Sequence, residues 1–240
     1  MLIPLVLGGQ LPGKQIHIAV ASNFTNAMKE IAQSFETKSG DKVILTFGST
    51  GKLYTQIKNG APYDAFFSAD IKRPKLLEEE GVALPGSRFT YATGKIVLWS
   101  PKPGVVDTNG SVLKKGNFRY LAIAKPKLAP YGKAAKQVMQ NLGVWGALQD
   151  RLAKGENIGQ AFQYVYSGNA ELGFVAYSQI KSLKNPNTGS LWEPPQDLYN
   201  PIKQQAVLLK DNTVAKQFLA FIIKSKKARQ IIQKYGYDTP

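Results

Sequence analysis

Residues 43–62 read VILTFGSTGKLYTQIKNGAP, a β-branched run that opens through a glycine turn into a segment with Leu53 and Ile57 at helical spacing. Strand, turn and helix in this order make half of a βαβ unit, and a glycine turn beside a lysine outlines a phosphate loop. The loop pattern G-x-x-x-x-G-K-[ST] fails at both ends. With Gly51 and Lys52 as its G-K pair, the first glycine falls on Thr46 and the hydroxyl residue on Leu53. What survives is the physics of an anion site. Gly48, Ser49, Thr50 and Gly51 place two hydroxyls and several N–H groups at the positive end of a helix. An ordinary capping turn has the same composition, so the rest of the chain has to decide.

Upstream, IHIAVA (16–21) is a strand candidate running into SNFTNAMKEIAQSFETKSG, where Ala27, Met28, Ile31, Ala32 and Phe35 recur at helical spacing before Gly40. Downstream, DAFFSA (64–69) is a buried strand followed by a helix around 74–80 that stops at Gly81. A long strand is expected over 88–99, and YLAIA (120–124) leads through KPKLAPYG to a helix over 133–142. The pattern then predicts helices over 144–154 and 158–167, the strand ELGFVA (171–176), a loop-rich stretch, the strand KQQAVLLK (203–210) and two C-terminal helices.

This alternation predicts an α/β fold of two lobes, each a mostly parallel sheet flanked by helices. The strands at 88–99 and 203–209 would carry the chain across and back. The expected division is 15–90 with 203–240 as a discontinuous first lobe, and 91–202 as the second. Residues 1–14, MLIPLVLGGQLPGK, have an apolar patch at 2–7 and no basic residue before Lys14, so they read as a signal remnant or an artificial leader. In such folds ligands bind between lobes, outside the carboxyl ends of the parallel strands.

Composition narrows the chemistry. The chain has no cysteine and one histidine, which excludes disulfides, thiol nucleophiles, zinc clusters and histidine triads. His17 lies in the alternating run QIHIAV and reads as a half-exposed strand residue. No apolar run approaches the roughly 20 residues of a membrane-spanning helix. The 31 Lys and Arg against 16 Asp and Glu give +15, but the basic residues are spread along the chain, and the densest run, KSKKAR (224–229), sits in a helical pattern. That distribution favours a solvated surface with some anion steering over nucleic-acid binding. Asp64 and Asp70 could be imagined as a catalytic carboxylate pair, yet one starts a strand and the other caps a helix.

Other strand-to-helix turns repeat the composition of the first. AVASNF holds Ser22 and Asn23, FFSAD holds Ser68, Ala69 and Asp70, APYGK holds Tyr131 and Gly132, and GENIGQA holds Asn157 and Ile158. Several such turns facing one cleft would cage a small oxyanion with neutral donors.

From residue 15 to 237 the chain resembles the type II periplasmic binding proteins of ABC importers that capture molybdate and tungstate. The segments that carry the likeness are ASNFTNAMKEIAQSFETKSG, FGSTGKLYTQIKNGAPYDAFFSAD, LPGSRFTYATGKIVLWS, APYGKAAKQVMQNLG, NIGQAF, LGFVAYSQI and KYGY. The resemblance implies a tetrahedral dianion held between the lobes by hydroxyls and N–H groups, with no direct protein–metal ligand and no cofactor. It implies Ser22, Asn23, Ser49, Thr50, Ala69, Tyr131 and Ile158 as the oxyanion-binding residues. Some members use a tyrosine after L-G-x-V; Ala176 occupies that register and Tyr177 follows it, so Tyr177 is the eighth candidate. Lys52 need not touch the ion. The same resemblance implies a non-enzymatic, monomeric, extracytoplasmic protein that delivers its cargo to a membrane permease. Sulfate, phosphate and ferric iron are the alternative cargoes; iron would need convergent tyrosines and carboxylates, of which Tyr131 and Tyr177 are the available phenols and no pair of tyrosines is evident.

Overall fold

The computed structural model describes residues 13–240, so the expected leader lies, up to Pro12, outside the described residues. Period-two patterning sets the first strand. In β1 (Gln15–Ala21), Ile16, Ile18 and Val20 face one buried layer while Ala19 faces the other, and His17 is half-exposed. β1 pairs in parallel with β2 (Lys42–Gly48) on one side and β3 (Ala65–Ser68) on the other. β10 (Ile202–Leu208) runs antiparallel to β3 and to β4 (Phe89–Gly94), which completes the order β2-β1-β3-β10-β4.

The second sheet repeats that plan. β6 (Leu121–Ala124) lies parallel to β7 (Leu152–Gly155) and β8 (Leu172–Ala176), and β5 (Ile96–Ser100) runs antiparallel to β8 and β9 (Ser190–Trp192). The order β7-β6-β8-β5-β9 again puts the single reversed strand fourth. In both sheets the reversed strand is the one by which the chain enters from the other sheet. We call the units built on the two sheets the first and second lobes.

Helices cover both faces of each sheet. On the first, α1 (Thr25–Ser39) buries Ala27, Met28, Ile31 and Phe35 with Phe218 and Ile222 of α8 (Thr213–Lys224) and Ile231 of α9 (Lys226–Lys234). The opposite face packs Leu53 and Ile57 of α2 (Thr50–Lys58) and Leu77 of α3 (Lys72–Glu79) on Ala19, Phe66 and Val207. Each fully buried side chain of this size contributes roughly 1.5–3 kcal/mol relative to exposure. α4 (Val112–Lys115), α5 (Pro130–Asn141), α6 (Ile158–Tyr166) and α7 (Tyr177–Lys181) serve the second lobe. No described helix is long and apolar enough to cross a membrane.

Two expectations need correcting. The long strand over 88–99 is two strands in two sheets, β4 and β5, with only Lys95 between them. The sequence hides the change because both halves are apolar and extended. The helix expected over 144–154 does not form. Gly143, at φ 72°, ends α5, and Leu152–Gly155 pairs with β6 as β7 because the second sheet needs that edge strand. Val144, Trp145 and Leu148 pack on the second core from turns instead.

Candidate functional site

Six strands end in small residues just before a helix: Ala21, Gly48, Ser68, Ala124, Gly155 and Ala176. A small terminal side chain lets the following turn close tightly, so the helix starts of the two sheets can approach one another. Ala21, Ala69, Ala124, Ala129, Tyr131, Ile158 and Ala176, drawn from both lobes, share one buried cluster. Across the cleft, the N–H of Gly51 donates to Leu128 O at 2.8 Å and that of Gly159 to Ser22 Oγ at 3.4 Å. Gly51 suits this close approach, since a Cβ there would lie 3.0 Å from Leu128 O and 3.2 Å from the Leu128 Cα and would press on that backbone.

The hydroxyls of this region share a property. Ser49 Oγ accepts from Lys52 N at 3.3 Å, Thr50 Oγ1 from Ala69 N at 3.1 Å, and Ser22 Oγ from Gly159 N. None of the three donates to any described residue. Of the buried serine and threonine hydroxyls, Ser68, Ser100 and Ser178 all donate to protein acceptors, which leaves Ser49 and Thr50 as the two with protons unspent. A buried hydroxyl proton without an acceptor costs about 1–3 kcal/mol, unless a ligand supplies one.

Main-chain donors face the same region from the second lobe. Asn157 caps α6 by accepting from Gln160 N, and Pro130 at the first position of α5 has no N–H to place. The buried N–H groups of Tyr131 and Ile158 find no acceptor among the described residues. With the helix dipoles behind them they add partial positive charge where no lysine or arginine is buried.

Behind the site lies a cluster that the sequence did not reveal. Asn23 Nδ2 donates to Gln204 Oε1 at 2.8 Å and to the Tyr237 hydroxyl at 3.0 Å, so its amide hydrogens are committed within the protein. Tyr91 donates to Gln204 Oε1 at 3.0 Å, Gln204 Nε2 donates to the Tyr131 hydroxyl at 3.3 Å, and Ser178 Oγ donates to Asn23 O at 2.9 Å. These groups come from both lobes and from the C-terminal segment. Burial pushes the phenols of Tyr91 and Tyr131 well above their ordinary range and that of Tyr237 up to about 12. Three tyrosines therefore meet although the sequence shows no pair of them, but they are held neutral with amide partners, unlike the phenolates that ferric iron takes.

Four candidates have other surroundings than expected. The Ala69 N–H is spent on Thr50 and so orients that hydroxyl. The Asn23 amide is spent in the cluster. The Tyr177 ring packs beside Gly236 and under Lys181 Nζ, 5.2 Å from its centroid; Ala176 holds the buried place in that register. The Tyr131 hydroxyl belongs to the cluster, where it accepts from Gln204, so the N–H is the group of Tyr131 at the helix start. Lys52 Nζ pairs with Glu156 at 3.3 Å across the cleft rim, and Lys125 also binds Glu156. Asp64 accepts from His17 N at 2.7 Å, and Asp70 pairs with Arg73, so both carboxylates are structural.

Residues 16–238 match the family model described as bacterial extracellular solute-binding protein. The chain is 53% identical to the molybdate-binding protein ModA of Azotobacter vinelandii, over 93% of this chain and 89% of that protein. It is 50% identical to ModA of Rhodobacter capsulatus, over 99% and 94% of the two chains. The solved periplasmic molybdate-binding protein of Azotobacter vinelandii superposes with a TM-score of 0.90 at 45% identity, covering 94% of this chain and 99% of that one. Strand order, helix placement and interlobe cleft agree with this kinship: the chain belongs to the bacterial extracellular solute-binding proteins.

Proposed function

We propose that this protein captures molybdate, and tungstate with it, outside the cytoplasm and delivers it to the permease of an ABC importer. The observation that carries the reading is the pair of buried hydroxyls, Ser49 and Thr50, whose protons have no acceptor among the described residues. An oxyanion without protons is acceptor-only, and it satisfies such a cage at every contact. Ser22 joins them from the first lobe, and the N–H groups of Tyr131 and Ile158 complete the cage from the second. Asn23 and Ala69 set the geometry of their neighbours.

Burying a dianion without a counter-ion is costly, and charge-assisted hydrogen bonds at roughly 1.5–3 kcal/mol each offset the lost hydration. A donor-only cage also discriminates, because a protonated oxyanion such as hydrogen phosphate would press an O–H against a donor. Lobe closure then sets the size of ion accepted.

Calorimetric titration with molybdate, tungstate, sulfate and phosphate, in separate runs, tests the proposal. One-to-one binding of the first two, with sulfate and phosphate far weaker, is expected. Equal sulfate binding, or no heat with molybdate, would sink it.

A further inference from the structure

The cleft has two sides that differ in charge. A cavity of about 240 Å³ on one side is lined by Ser22, Thr25, Asn26, Gln163, Ser182 and their neighbours, with no lysine, arginine or carboxylate among them. A groove of about 570 Å³ on the other side is lined by Lys72, Arg73, Lys127, Lys133 and Lys203. Asp70 is its one carboxylate, and it is paired with Arg73. The four lysines are exposed and make no ion pair with any described residue.

This groove borders the cage. Its wall includes Ala69, whose N–H holds Thr50, and Ala129 and Pro130, which lead into the Tyr131 turn. It lies between the lobes, with Lys72 and Arg73 from α3, Lys127 and Lys133 from the approach to α5 and α5 itself, and Lys203 from β10. Arg73 Nη2 donates to Lys127 O at 3.3 Å, so one side chain of the groove already spans the opening.

We propose that the basic groove is the entry path of the anion: unpaired lysines at one mouth of the cleft draw the dianion in, and the neutral donors inside take it over. Resting on the molybdate reading, this adds a kinetic role for residues that do not touch the bound ion. Clefts lined by one sign of charge raise association rates by about 10- to 1000-fold, and the gain falls with ionic strength. Screening over about 8 Å at physiological salt confines the effect to charges near the opening.

The test is stopped-flow fluorescence of molybdate binding to the full chain across a salt series. The groove variant carries Lys72→Gln, Lys133→Gln and Lys203→Gln. Its control carries Lys38→Gln, Lys224→Gln and Lys227→Gln, three exposed lysines outside the cleft. Both lower the formal charge of +15 by three. The groove variant is expected to lose about tenfold in association rate at low salt, with a shallower salt dependence and a dissociation rate within about twofold of the parent. The control should stay within about twofold in both rates. Equal loss in the two variants would assign the effect to net charge and overturn the entry path, as would an unchanged rate in the groove variant. A parent protein that binds sulfate but not molybdate overturns the molybdate reading, and the same rates measured with sulfate then decide the entry path.

Discussion

The two lobes share one strand order, and each brings its strand ends to the cleft, but they offer different chemistry there. The first lobe presents side-chain hydroxyls, Ser22, Ser49 and Thr50, each held by a backbone N–H. The second presents main-chain N–H groups, those of Tyr131 and Ile158, at the starts of α5 and α6. One wall is written in side chains, and the other in backbone geometry. The first can be altered by ordinary substitution. The second resists it, since every residue except proline carries the same donor.

The largest expected effect comes from disturbing the seating of one lobe on the other. A Cβ on Gly94 would lie 2.0 Å from the Tyr131 hydroxyl and 2.6 Å from Gln204 Nε2. Overpacking of this kind costs about 1–3 kcal/mol, and here it falls on the contact between lobes. Gly94→Ala should weaken molybdate binding by up to about 100-fold in calorimetry while the circular dichroism of the fold is retained. Affinity within twofold of the parent would show that Tyr131 moves aside freely.

The backbone wall is broken next. Asn157 is extended, at φ −147° and ψ 174°, so a proline can follow it at the first position of α6 without strain. Ile158→Pro deletes the N–H together with part of a buried side chain and should cost about 2 kcal/mol of binding, whereas Ile158→Val, which trims the side chain alone, should change affinity less than threefold. If the two variants bind alike, the main-chain donor has no part in the site. On the hydroxyl wall, Thr50→Ala should cost about 1–3 kcal/mol, and Thr50→Ser should restore most of it.

The cluster behind both walls gives a pH signature. An unfolded tyrosine ionises near pH 10, whereas Tyr237 in the fold ionises near 12. The folded state therefore keeps a proton that the unfolded chain releases, and this contribution is present below pH ~10 and lost as pH rises toward ~12. Denaturant melts should show a drop in stability across that window that is smaller, by about 2 kcal/mol, in Tyr237→Phe. Parallel profiles for the two proteins would remove Tyr237 as its source. The smallest effect is expected at Lys52. Its pair with Glu156 is well exposed at the cleft rim, so Lys52→Gln should shift affinity by less than about 1 kcal/mol, measured in the same titration.

How much of this was legible in the sequence follows from the same contrast. Hydroxyls announce themselves, so Ser22, Ser49 and Thr50 stand out in AVASNF and FGSTGKL. Ile158 has nothing in its side chain to mark it: the GENIGQA turn puts it at a helix start, and only the family resemblance singles out its N–H. The six small residues that end the strands were present in the sequence as a pattern, and they are the local signal for where the turns converge. The hydrogen bonds of Asn23, Tyr91, Tyr131, Ser178, Gln204 and Tyr237 join residues up to 214 positions apart, which no local pattern records. Strand β7 was missed because sheet completion overrode the helical spacing of 144–154.

The single residue between β4 and β5 has a thermodynamic consequence for capture. The chain leaves the first sheet at Gly94 and joins the second at Ile96, then returns through Pro201, between Asn200, whose N–H donates to Gln137 of α5, and Ile202 of β10. With so little slack at these crossings, a rotation of one lobe against the other has to be absorbed by a few backbone dihedrals. Opening therefore liberates little chain entropy, and closing has little to take back. The free energy released at the cage is spent on holding the ion rather than on ordering the polypeptide around it.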